Sequence, residues 1–243
     1  MSWYRDWFNS ENYLKVYSHR DESEAERLVD LIIKILNLKS GSSVLDMACG
    51  SGRHAVIFAK KSLDVTAVDL SQRLISEAKC NAVRFGVNIN FVLSDILDFN
   101  TPVRFDLALN LFTSIGYFEN DEDNLSVIFK AYTLLKNNGY FVLDYFNKEY
   151  LLKNLVPETV FSENGTKIIQ NRYIKGNRVI KDIIVENNGL IENYFESVRL
   201  YSEEELFAFF EKVGFTIIKK FGDYNGSEFK KDSSSRLIIF AKK

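Results

Sequence analysis

A chain of 243 residues with 46% hydrophobic and 26% charged positions has the composition of a globular protein with a full core, in one large domain or two small ones. Its formal net charge of -2 and pI near 5.9 lack the basic excess that a nucleic-acid backbone demands, so no nucleic-acid partner is expected. Two prolines beside 20 Phe and 12 Tyr argue against a long disordered linker, and no apolar run approaches the roughly 20 residues of a membrane span.

The first 20 residues form an aromatic arm, with Trp3, Tyr4, Trp7, Phe8, Tyr13 and Tyr17, read as short helices packed on the domain. They lack the basic-then-apolar order of a secretory signal, and Cys49 and Cys80 suggest neither a disulfide framework nor a zinc site. A cytoplasmic location without membrane attachment is the expectation. A helix is predicted from Asp21, with Glu24 as capping-box partner and Leu28, Leu31, Ile32, Ile35 and Leu36 on its buried face. Strands are predicted at Ser43–Leu45, Leu63–Asp69, Asn90–Leu93, Phe105–Asn110 and Tyr140–Asp144. Helices from Arg53, from the Ser71 cap and from Asp123 to Lys136 separate them, the last stopped by Asn138-Gly139. Apolar, non-alternating strands between helices describe a parallel sheet covered on both faces, a doubly wound, Rossmann-like α/β fold. Ligands of such sheets sit at the strands' carboxyl ends, where Asp46, Asp69, Asp95, Asn110 and Asp144 are expected to share one rim.

After Asn147 the pattern changes. Lys167–Ile174, Arg178–Val185 and Leu190–Tyr201, joined at Gly176-Asn177 and Asn187-Asn188-Gly189, read as a three-stranded antiparallel insertion. A Ser202/Glu205 capping box then opens a helix ended by Gly214, and Phe215–Phe221 and Leu237–Lys242 close a sheet of seven strands. The expected organisation is a cofactor domain of residues 1–147 and 202–243 around an inserted lid or substrate-binding subdomain, 148–201.

Chemistry concentrates in Val44-Leu45-Asp46-Met47-Ala48-Cys49-Gly50-Ser51-Gly52-Arg53-His54-Ala55. A strand, a glycine turn and a helix start leave backbone N–H groups facing a ligand. The turn alone fits the relaxed dinucleotide fingerprint, with Asp69 spaced to hold a ribose diol, so a nicotinamide-dependent oxidoreductase competes. Asp46 at its base would repel a pyrophosphate but suits S-adenosylmethionine, which carries a sulfonium and an ammonium.

These residues resemble the first motif of class I S-adenosylmethionine-dependent methyltransferases. Asp69 is similar to that family's ribose-binding acid. Ser94-Asp95-Ile96 resembles its adenine-contacting motif, Phe105–Asn110 its fourth-strand motif, and Leu135–Tyr140 the loop before strand five. The likeness spans about residues 40–145, and the insertion resembles the lid of small-molecule N-methylating branches. It implies cofactor contacts for Asp46, Ala48, Cys49, Gly50, Gly52, Arg53, Asp69, Leu70, Ser94, Asp95, Ile96 and Asn110. Asn110-Leu111-Phe112-Thr113 lacks the Asn/Asp-Pro-Pro-aromatic signature of base or amide methylation, and no metal-binding set is present, so a small acceptor is expected, methylated on nitrogen rather than oxygen or carbon. In the arm, Tyr17 and Arg20 are candidates for the sulfonium and the cofactor carboxylate. Tyr13, His19, Ser114, Tyr117 and Phe118 are acceptor-pocket candidates. No catalytic base is assigned, and a non-catalytic S-adenosylmethionine-binding protein is the remaining alternative.

Overall fold

Parallel strands, most of them followed by a helix, set the architecture of the computed structural model, which describes residues 3–18 and 22–243. The arm forms two short helices, α1 (Trp3–Asn9) and α2 (Glu11–Val16), the second capped by the Ser10 hydroxyl accepting from the Asn12 N–H. Helix α3 (Glu22–Leu36) follows; the expected cap at Asp21 lies outside the described residues. Then come β1 (Ser43–Met47), α4 (Arg53–Lys60), β2 (Asp64–Asp69), α5 (Gln72–Arg84), β3 (Asn90–Leu93), β4 (Phe105–Asn110), α6 (Asp121–Leu134) and β5 (Leu135–Phe146). The Ser71 hydroxyl accepts from the Leu74 N–H and caps α5, as expected.

After α7 (Lys148–Asn154), β6 (Glu158–Glu163), β7 (Thr166–Lys175), β8 (Arg178–Asn187) and β9 (Leu190–Arg199) form one sheet; α8 (Glu203–Val213), β10 (Thr216–Phe221) and β11 (Arg236–Lys242) complete the chain. The main sheet has seven strands ordered β10-β11-β5-β4-β1-β2-β3, parallel except where β11 runs antiparallel to β5 and β10. It is the doubly wound α/β sheet expected. One core layer packs β4 and β5 against α6 and α8, with Phe141, Phe210 and Phe215 in ring contact. The other packs α3 and α4 on the opposite face through Leu28, Ile32 and Phe58. The Ser202/Glu205 capping box and the left-handed Gly214 that bound α8 are both present.

Two expectations are corrected. Helix α6 ends at Leu134, and Asn138-Gly139 do not stop it but lie inside β5. Asn138 turns left-handed (φ +63), and the β4–β5 register shifts between Phe105 and Leu107. A Cβ on Gly139 would come within 3.1 Å of the Phe105 carbonyl, so glycine lets the strands approach. The second sheet has four strands, not three, in the order β6-β7-β8-β9. Strand β6 carries Glu158, Ser162 and Glu163 and half-exposed Val160, so it lacks the apolar density of its neighbours; left-handed Asn164 and Gly165 turn it into β7.

The arm is held to this second sheet by a partly buried charge. Glu196 on β9 pairs with Lys181 on β8 at 2.7 Å, accepts from Trp7 Nε1 at 2.8 Å, and accepts from the Tyr17 hydroxyl. Burial pushes the Glu196 carboxyl up, but the Lys181 ammonium and these donors outweigh it and hold the group below its ordinary range. Asn12 adds a bond to Glu192 at 2.8 Å. Glu196→Gln is expected to cost about 1–3 kcal/mol in chemical denaturation, because the partly buried Lys181 loses its counter-charge, and a Glu196→Gln/Lys181→Met double variant should recover part of it. Equal stability of wild type and single variant would count against the pair as the tie.

Candidate functional site

Strand β1 delivers Asp46 to the sheet's carboxyl edge, and β2 delivers Asp69 beside it. Between β1 and α4 the chain turns through left-handed Ala48 (φ +62), Gly50 (φ +58) and Gly52 (φ +77). Asp69 fastens the turn: it accepts the Gly50 N–H at 2.8 Å and the Ser71 N–H at 2.9 Å. Its carboxyl is raised by burial, and the N–H bonds from Ser71, Gly50 and Leu70 oppose that rise. Asp46 is only 2% exposed and its Oδ2 has no hydrogen-bond partner. Burial first, and the neighbouring Asp69 second, push its carboxyl up to about 7. The same burial and the two acids raise the Cys49 thiol well above its usual range, so it stays a neutral filler.

These groups open into a cavity of ≈ 350 Å³. Of the expected cofactor contacts, Asp46, Ala48, Cys49, Gly50, Arg53, Asp69, Leu70, Ser94, Asp95 and Ile96 line it, as does Tyr17 from the arm. Of the acceptor-pocket candidates, Tyr13, Ser114, Tyr117 and Phe118 line it too. Arg20 and His19 lie outside the described residues. Two expected contacts are not wall residues. Gly52 faces α5, where a Cβ would come 2.9 Å from that of Ala78, so its glycine serves packing. Asn110 ends β4 with 1% exposure and both amide atoms unpartnered, one residue before the wall residue Leu111.

The shared rim of acids is also corrected. Asp144 is not in the wall; it is fully buried against Arg236 at 2.8 Å. Asp95 is in the wall but is paired with Arg5 of α1 at 2.6 Å. The Tyr17 ring reaches the cavity while its hydroxyl stays bound between Glu196 and Lys181.

The sequence reading missed Tyr4, Phe8, Phe112, Glu22 and Glu26, all wall residues. Tyr4 and Phe8 are one helical turn apart, as are Glu22 and Glu26, so each pair shares a helix face; that spacing was the available signal. Phe112 carried none beyond following β4. Its ring lies 5.4 Å from the Arg53 guanidinium, which is thus drawn toward an aromatic face.

The residues fit the expected cofactor on two observations. A buried carboxylate oxygen without a partner, on a residue that lines the cavity, suits a cationic ligand. A Cβ at Gly50 would meet nothing within 4 Å, so the turn leaves space open above its backbone.

Comparison with known proteins agrees with this geometry. Residues 38–195 match the family described as Methyltransferase domain. A glycine/sarcosine N-methyltransferase of Aphanothece halophytica is 26% identical over 235 residues, covering 92% of this chain and 83% of that protein. A ubiquinone biosynthesis O-methyltransferase of Rickettsia felis is 26% identical over 158 residues, covering 64% of this chain and 63% of that protein. Among solved structures, an S-adenosylmethionine-dependent methyltransferase from Clostridium acetobutylicum has the same fold, with a TM-score of 0.82 at 20% identity and 95% of each chain covered. The sugar N-methyltransferase KedS8 from Streptoalloteichus sp ATCC 53650 superposes with a TM-score of 0.72 at 17% identity, over 95% of this chain and 92% of that one.

Asp46 gives cofactor binding a pH signature. Between its ordinary value of 3.8 and about 7 the folded, cofactor-free chain keeps a proton that the unfolded chain has lost, so its stability falls as pH rises through that window. A cationic ligand favours the ionised form, so S-adenosylmethionine binding should release protons below about pH 7 and tighten from about pH 6 to 8. Calorimetry in two buffers of different ionisation enthalpy reads this directly, and Asp46→Asn should flatten the dependence. Asp69→Ala should weaken binding by about 1–3 kcal/mol; an unchanged dissociation constant would remove Asp69 from the site.

Proposed function

The chain belongs to the methyltransferase domain family of S-adenosylmethionine-dependent enzymes, and from that premise we propose that it methylates the nitrogen of a small-molecule amine. The observation that carries this reading is the enclosure of the cavity by the aromatic arm. Tyr4, Phe8, Tyr13 and Tyr17 stand across from the sheet edge's own contribution, Tyr117 and Phe118, in a volume of ≈ 350 Å³. That volume admits a cofactor and a small acceptor, not a folded macromolecule. The rings gather around Tyr117, which lies 5.3 Å from Trp3 and 5.6 Å from Phe8. Such a box draws in an amine as its cation, and Glu22 and Glu26 in the wall favour the same charge. The glycine/sarcosine and sugar N-methyltransferases among the similar proteins support nitrogen, while the O-methyltransferase makes the acceptor atom the point to test.

S-adenosylmethionine supplies, when bound, a methyl group on a sulfonium. Asp69 would take the ribose diol, Asp46 the cationic part, Ala48, Cys49 and Gly50 the backbone contacts, and Leu70, Asp95 and Ile96 the adenine side. Arg53 and Tyr17 would complete the cofactor's surroundings. The protein's share of the rate is alignment: the rings hold the acceptor in one orientation and exclude water. An amine drawn in as its cation must first give up its proton to solvent; the neutral form then presents its lone pair, and no wall residue is assigned as a general base. We assign residues 1–147 and 202–243 to the cofactor domain and residues 148–201 to a lid that fixes the arm through Glu196.

A panel of small amines, phenols and carboxylic acids, followed by formation of S-adenosylhomocysteine, tests the proposal. Amines should turn over, and exclusive methylation of phenols or acids would overturn it. Tyr117→Leu should raise the acceptor KM about 2- to 30-fold, the equivalent of losing about 0.5–2 kcal/mol of cation–ring attraction.

A further inference from the structure

Phe112 in the cavity wall and Thr113 beside it both stand in the left-handed region, at φ +60 and φ +61. Neither is glycine, and threonine is β-branched, for which this conformation is a genuine outlier. Two such residues in succession persist only where the surroundings over-determine them. Here the surroundings converge on Asp144 and its partner Arg236. The Asp144 carboxylate accepts the Phe112 N–H at 2.9 Å, and the Asp144 carbonyl accepts the Thr113 N–H at 2.9 Å. Arg236 Nε donates to the same carboxylate at 2.8 Å, and Arg236 Nη2 donates to the Thr113 hydroxyl at 2.9 Å. The Tyr224 hydroxyl donates the carboxylate's further bond at 3.0 Å. The Arg236 guanidinium also lies 5.7 Å from the Phe112 ring centroid. The Phe112 N–H and the Thr113 hydroxyl therefore end on a single ion pair, and the Thr113 N–H ends on the main-chain carbonyl of its acidic member.

We propose that Asp144 and Arg236 are positioning residues for methyl transfer: they clamp the Phe112–Thr113 turn in its left-handed form and so hold the Phe112 ring in the cavity wall. The ion pair lies behind the wall and touches neither reactant; its effect passes through Phe112. A glycine at either position would adopt the turn unaided, so the clamp replaces glycine and keeps an aromatic ring where a glycine would leave none. This inference rests on the reading of the cavity as the methyl-transfer site.

The test compares wild type, Asp144→Asn, Thr113→Gly and the double variant. Three readouts apply: amide hydrogen exchange at residues 112 and 113 in the cofactor-free protein, S-adenosylmethionine affinity by calorimetry, and kcat/KM. Asp144→Asn, which leaves the main-chain carbonyl in place, should speed exchange at the Phe112 amide at least tenfold and lower kcat/KM at least tenfold. Thr113→Gly alone should raise Tm, since it removes strain. In the double variant, Thr113→Gly should return kcat/KM to within about threefold of wild type, a rescue that a purely structural role for Asp144 would not give. Wild-type exchange and turnover in Asp144→Asn, or no rescue by glycine, would overturn the clamp. Should Asp144→Asn fail to fold, Arg236→Lys keeps the charge, loses the fork to Thr113, and should show the same pattern in milder form. If wild type methylates no amine, the proposed acceptor falls, while exchange and cofactor affinity still decide the clamp.

Discussion

Asp46 holds a carboxylate oxygen inside the protein with nothing to bond it, and the rest of the site is arranged around that cost. A buried acid without a partner resists ionisation, which is why its carboxyl rises to about 7. A fold that valued only stability would place an apolar residue there. The parallel sheet cannot relieve the strain itself, because strands β1 and β2 end side by side and bring a second acid, Asp69, to the same edge. The N–H groups of Gly50 and Ser71 position Asp69 at the turn, while Asp46 keeps an oxygen that no protein group bonds. That division of labour explains why a methyl donor carrying positive charge belongs here and a pyrophosphate does not.

The sequence made legible whatever is decided locally or by strand direction. Strand ends at Asp69 and Asn110, and Asp46 beside the end of β1, fall where apolar runs stop, and caps at Ser71 and Ser202 follow from hydroxyl geometry with the next turn of helix. Most of the expected cofactor residues therefore meet at one cavity. What failed was set by long-range pairing. Asp144 lies inside β5, short of its carboxyl end, and it is outside the cavity wall because Arg236, on a strand 92 residues later, claims it. Asn138-Gly139 has the composition of a helix stop, and only the approach of β4 reveals it as a kink within a strand. Strand β6 is a polar outer strand whose neighbours, not its residues, make it a strand.

The arm shows how a remote element can complete a local site. Its aromatic residues are too short a stretch to be helical alone, and α1 and α2 persist because both faces of the arm are covered. One side supplies cavity rings, Tyr4, Phe8 and Tyr13; the other meets Glu196, Tyr194 and Ile183 of the second sheet. The second sheet thereby reaches the cavity through the arm. Its contribution is to order the arm before any ligand arrives, which lowers the entropy lost on binding.

Rigid walls of this kind are made in two ways in the one cavity. Where the backbone must come close to the ligand, the chain uses glycine, as at Gly50, and accepts the loss of a side chain. Where a ring must stand in the wall on an equally unfavourable backbone, as at Phe112, the chain keeps the ring and fixes the turn with Asp144 and Arg236. The two solutions have opposite sensitivities. A glycine turn tolerates loss of its neighbours but not a Cβ, whereas a clamped turn tolerates a glycine but not loss of the clamp. The cofactor side of the cavity is therefore fixed by the turn's own sequence. The side next to Phe112 is fixed by an ion pair joining β5 to β11, and substitutions in that pair would change the shape of the cavity without altering any residue that lines it.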